Sequence, residues 1–148
     1  MSHAMQTADA VAAFLQGQRK EFAKAACAIA SGYTPQDMTA STLYVDVMPL
    51  GCRSNVERIR RQATGHEDRM VRVLLRKKLP EKVSKESLDT LVSSVECVVD
   101  LLLDAQWNEG SHCSSVELSP LFDEDQLAKG VFSSTIIVHI ACQWDLQG

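Results

Sequence analysis

The side chains in this chain with the chemistry to bind a metal or move a proton are five cysteines, four histidines and one tight acidic trio. His112 and Cys113 adjoin in SHCSS. A zinc centre takes about four nitrogen or sulfur ligands, usually in close pairs. The nearest further ligands, His66 and Cys142, are remote in sequence and there is no CxxC pair, so an ordinary polar loop is the better reading. Asp123, Glu124 and Asp125 form an acidic turn ahead of an apolar run, which reads as solvated rather than metal-binding. His139 stands within FSSTIIVHIACQW and reads as a satisfied sheet histidine, not a general base. Neither GxGxxG, P-loop, GxSxG nor HExxH occurs, and no Ser–His–acid set is suggested locally. The sequence gives no positive support to catalysis, so a non-enzymatic protein without cofactor or metal is expected.

Positive charge is the stronger signal. NVERIRRQATGHEDRMVRVLLRKK, residues 55–78, reads as two strands of a basic hairpin turning near Gly65. From Arg53 to Lys78 nine basic residues face three acids, a net charge of +6, which leaves −10 on the remainder of a chain whose total is −4. A molecule divided this way attracts further copies of itself, or a polyanion, through one face. The plainest explanation is a solvated hairpin whose charges discourage edge-to-edge aggregation. Sequence-specific DNA recognition is disfavoured, because no recognition helix is evident and the stretch lacks an aromatic residue for base stacking. Non-specific phosphate contact needs only clustered arginine and lysine.

The elements that must position these charges follow from periodicity. The 148 residues suit one domain, 45% apolar and 23% charged. Residues 1–6 are expected to be disordered or an artificial leader, and no apolar run is long enough to span a membrane. The odd number and wide spacing of the cysteines predict free thiols in a reducing compartment, with Cys27 and Cys97 in helix cores. Val11, Leu15, Phe22, Ala26 and Ile29 predict one helix over 7–31, with Thr7 as N-cap and Gly32 as its stop. TLYVDVMPLG alternates as a strand ended by Pro49 and Gly51. In the basic stretch Val71, Val73 and Leu75 point one way and Arg72 and Arg76 the other, whereas its first half alternates poorly and predicts a bulge or an exposed strand. Leu88, Leu91, Val92, Val95, Val98, Val99, Leu102 and Leu103 predict a helix over 84–106 capped by Ser84. NEGSHCSS reads as loop, VELSP as a short strand and VFSSTIIVHIACQW as a long one, with Phe132, Ile136, Val138, Ile140, Cys142 and Trp144 on one face. The order predicts an α+β fold: a mainly antiparallel sheet of about four or five strands, packed by two long helices, with a protruding basic hairpin.

This order of segments resembles the tail terminator (tail-completion, or minor tail) proteins of long-tailed bacteriophages. The resemblance rests on the N-terminal helix leading into TLYVDVMPLG, on LPEKVSKESLDTLVSSVECVVDLLL after a strand hairpin, and on the closing LAKGVFSSTIIVHIACQW, over residues 8–144. It implies a ring, usually of six copies, that caps the growing tail tube in the virion neck and offers a surface to the head-side connector. The implied partners are further copies of the chain, the tube protein and the connector, with a non-specific contact to passing DNA. No membrane is involved, and assembly is in the host cytoplasm. Arg58, Arg60, Arg61, Arg69, Arg72, Arg76, Lys77 and Lys78 are the expected contact residues. Another neck or head–tail joining protein, or a small nucleic-acid-binding module, are the alternatives.

Overall fold

The structure, a computed structural model, describes residues 3–23, 25–39, 41–59, 62–108, 111–118 and 120–145. Helix α1, His3–Gly17, begins earlier than predicted, taking in part of the segment expected to be disordered. Ala8, Val11, Ala12 and Leu15 are spaced to share one side of it and are all buried, while Met5 packs at the edge of the core. Thr7 is therefore a buried interior residue and not an N-cap. A single turn, α2 (Arg19–Phe22), follows and buries Phe22.

The helix predicted to continue to Ser31 stops there. CAIAS instead forms strand β1, Cys27–Ser31, parallel to β2, Leu43–Ile59. Alanine favours helix, but the sheet edge offers this segment a full set of backbone partners. Cys27 pairs with Leu43 and Ser31 with Val47, while Leu43 N–H donates to Ala26 and Gly32 N–H to Val47. Gly32 leads out of β1 rather than ending a helix.

Strand β2 does not end at Pro49 and Gly51. It continues to Ile59, with its register against β3 (Gln62–Lys78) shifting between those two residues, where Leu50 stands exposed. Backbone groups alternate in direction along a strand, and the Val47 carbonyl points toward β1. Pro49, two residues on, turns its nitrogen to the same side, beyond the last β1 pair, so its missing N–H costs no ladder bond. The bulge thus lies ahead of the poorly alternating segment that was expected to hold it. Gly65 is not a turn: it sits within the ladder, opposite Val56 and Trp144.

Six strands are ordered β1-β2-β3-β6-β5-β4, with β4 at Gln106–Asn108, β5 at Ser111–Leu118 and β6 at Val131–Asp145. Every neighbouring pair except β1 and β2 is antiparallel. The α+β class holds, and the stretch NEGSHCSS contributes strand where loop was expected. From Thr64 to Arg76, β3 is flanked on both sides, by β2 and β6, so most of its length is internal to the sheet. The tip of the hairpin, with Arg60 and Arg61, lies outside the described residues.

Helix α3, Lys85–Asp104, starts at the predicted cap: the Ser84 hydroxyl accepts from Ser87 N–H at 3.1 Å. Its residues Leu91, Val95, Val98 and Leu102 are buried, but Leu103 is 49% exposed and leaves the predicted stripe. The acidic trio does structural work in a last short helix, α4 (Glu124–Ala128). The Asp123 carboxylate accepts from Asp125 and Gln126 N–H, and Glu124 and Asp125 occupy the first turn. Gly130, at φ 81°, then makes the corner into β6.

Helices α1 and α3 pack on the same side of the sheet, against Val45, Val47, Val71, Val73, Leu75 and the β6 residues Phe132, Ile136, Val138 and Ile140. Fully burying each such side chain contributes roughly 1.5–3 kcal/mol. The opposite side carries Tyr44, Asp46 and Met48 from β2, Met70, Arg72, Leu74 and Arg76 from β3, and Thr135, Ile137 and His139 from β6.

Candidate interaction face

The connection between parallel β1 and β2 decides what this second face offers. Parallel neighbours need a crossover, usually a helix. Here the described residues of 32–42 form neither helix nor strand. They pass over the β2 side of the second face, and Tyr44, Asp46 and Met48 are 6%, 3% and 2% exposed beneath them. Asp46 Oδ1 accepts from Gln36 N–H at 2.9 Å, Gln36 Nε2 donates to the Ala28 carbonyl, and Thr39 N–H donates to the Tyr44 hydroxyl.

Arg76 completes this arrangement. Its Nη2 donates to Asp46 Oδ2 at 2.8 Å and to the Gln36 carbonyl at 2.6 Å, so one guanidinium holds strand and crossover together. The Arg76 side chain is 15% exposed and that of Asp46 4%. Charge in such a setting needs its partner. Arg76, expected as a contact residue, is thus engaged inside its own chain.

The remaining basic residues divide between the two faces. Arg69 reaches α1, donating from Nη1 to the Thr7 hydroxyl at 2.7 Å. Lys77 lines a small cleft on the helix side with Ala26, Leu43, Thr90, Leu91 and Ser94. Lys78 is exposed at the end of β3. Arg72 is left at the middle of the second face, between Met48 of β2 and Ile137 of β6. Its Nε is buried and has no hydrogen-bond partner among the described residues. Half-buried Met70, Leu74 and Ile137 surround it on that face. Arg58 lies in β2 with its backbone opposite Ala63, and its side chain, like Arg60 and Arg61, lies outside the described residues.

No protein-family model matches this chain. No curated protein matches it either.

Other groups with chemical potential are engaged or subdued. His139 Nε2 lies 3.6 Å from Glu117 across the β6–β5 pair, in keeping with a satisfied sheet histidine. The Cys27 thiol, in a strand and not the expected helix, is pushed up to about 11 by burial, with Arg19 pulling the other way. Burial, then Glu21 and Asp100, raise Cys97, which donates to the Glu21 carbonyl at 3.4 Å. Burial also raises Cys113, against its hydrogen bond with Ser115. A thiol held protonated is a poor nucleophile and a poor metal ligand. Among the described residues no three His, Cys, Asp or Glu side chains gather as a metal site, and no helix is long and apolar enough to cross a membrane.

Asp46 is the partner of Arg76 that sequence reading missed, because alternation placed it on an outward position of a half-buried strand. Its only signal is a carboxylate between Tyr44 and Met48, two residues large enough to be covered themselves.

Proposed function

We propose that this chain is a structural, non-catalytic component of a bacteriophage virion: the tail terminator, which forms a ring at the head-proximal end of the tail tube, stops its polymerisation and joins it to the head connector. One observation carries the reading beyond the sequence resemblance. A partly apolar sheet face has Arg72 at its centre, and its buried Nε finds no hydrogen-bond partner among the described residues. A buried polar group without a partner is costly, so such a face is suited to an assembled state in which an acceptor arrives from outside. Stoichiometric assembly needs that kind of surface and no reaction centre.

Within a ring each copy uses one surface to meet its neighbour and a different one to be met. A basic segment of +6 on a body of −10 favours such head-to-tail encounter and helps fix its register. The Arg72 face supplies the first surface.

The test is assembly of tail tubes with and without the purified protein, viewed by electron microscopy. Tubes of limited length bearing a collar at one end are expected. Tubes that grow to the same unlimited lengths in its presence, with no density at either end, would sink the assignment.

A further inference from the structure

The surface that receives the Arg72 face can be named from the charge left unneutralised elsewhere on the molecule. Helix α3 has an apolar side turned to the sheet. On its other side stand Glu86, Asp89, Glu96, Asp100 and Asp104, all exposed. Their spacings of three, seven, four and four residues put them in one row. The row runs about 27 Å at the helical rise. Lys85, at the first position, is the only basic residue in the helix. Among the described residues none of the five carboxylates has an ion-pair partner. Leu103 stands exposed beside the row, between Asp100 and Asp104.

These two surfaces are complementary in kind. One offers Arg72 amid Met70, Leu74 and Ile137, with Lys78 at its end. The other offers an acidic row with one exposed leucine. They cannot meet within a molecule, because α3 packs against one side of the sheet and Arg72 lies on the other. We infer that the acidic row of α3 on one copy docks on the Arg72 face of the next, Leu103 entering the apolar surround and a carboxylate pairing with the guanidinium. The inference deepens the ring proposed above and rests on it. The contact is heterologous, so repetition gives a closed ring or a filament rather than a two-fold dimer. A phosphate backbone is the rival acceptor for Arg72, but five exposed carboxylates with no ion-pair partner among the described residues favour a second copy.

The test uses the full chain in two variants, each neutralising one surface: Arg72→Gln, and the triple change Asp89→Asn, Glu96→Gln and Asp100→Asn. Sedimentation velocity should find the wild type in assemblies that dissociate as salt rises. Each variant alone should be monomeric, its association weakened by about 30-fold or more. An equimolar mixture of the two retains a single productive pairing and should give a complex of two chains and nothing larger. Circular dichroism melts check folding, and the triple variant changes only exposed positions, so it keeps the question open to answer if Arg72→Gln fails to fold. Wild-type monomer at all concentrations, variants that assemble like the wild type, or a mixture that stays monomeric would each overturn the docking. Rings that form through this contact yet leave tail tubes uncapped would instead defeat the terminator assignment and leave the docking standing.

Discussion

Asp46 and Arg76 tie the crossover to the second face of the sheet. Removing the carboxylate leaves a half-buried guanidinium without its counter-charge and Gln36 N–H without its acceptor. Loss of one partner from a buried pair typically costs roughly 3–5 kcal/mol, and the residual exposure of Arg76 puts Asp46→Ala near the lower end of that range. Adding Arg76→Met to that variant should recover part of the loss, because the stranded charge goes with it. Urea denaturation of the single and double variants measures both, and a single-variant loss below about 1 kcal/mol would mean the crossover is held by other contacts. Cys27 sets a pH dependence. Its folded-state pKa, raised by burial from 9.0 to about 11, means the folded thiol keeps its proton where the unfolded one has released it. Stability from this group is therefore full below pH 9 and declines as pH climbs toward 11. Melting temperatures of wild type and Cys27→Ala across that window should converge as the pH rises, and parallel curves would contradict it.

At the scale of elements, α3 separates burial from surface within one turn. Leu102 is fully buried and Leu103 is 49% exposed, although both belong to the same run of leucines. Leu102→Ala should lower stability by roughly 2–5 kcal/mol, as emptied core sites do. Leu103→Ala should leave the monomer within about 0.5 kcal/mol of the wild type. Equal losses at the two sites would mean the helix is rotated from the arrangement described. The corner before β6 is a second such point. Gly130 takes a left-handed φ of 81°, accepts from Leu79 N–H and leads α4 into the strand. An added Cβ meets nothing within 4 Å there, so the cost of Gly130→Ala is backbone strain alone, about 1–2 kcal/mol in thermal unfolding. No change in Tm would contradict that geometry.

For the molecule as a whole, the question is where its divided charge lies in space. Internal use of Arg76 and the engagement of Arg69 with Thr7 leave fewer cations free for a polyanion than the count of nine suggests. Binding of the isolated protein to duplex DNA should accordingly show a shallow salt dependence, with a log–log slope of roughly −1 to −3, since each phosphate contact contributes about −0.9. Fluorescence anisotropy across a salt series measures it. A slope near −8 would require nearly every basic residue of the 53–78 segment to reach phosphates, and would favour the nucleic-acid-binding alternative.

Local pattern was enough for much of this fold. Three-and-four spacing specified α3 and its Ser84 cap, and strict alternation specified the buried faces of β6 and the second half of β3. These features depend only on neighbours along the chain, because a side chain's direction repeats with the geometry of its own element. What tertiary structure decided was pairing. Cys27–Ser31 was expected to be helical, yet a free sheet edge made it a strand. Pro49 looked like an end, yet its nitrogen falls on a side of β2 that has no partner to lose. Arg72 and Arg76 occupy equivalent positions in the alternation, and only the path of residues 32–42 separates them. That path brings Asp46 and Gln36 to Arg76 and leaves Arg72 without them. Periodicity says which way a side chain points, but the group it meets there is set by chain segments far off in sequence.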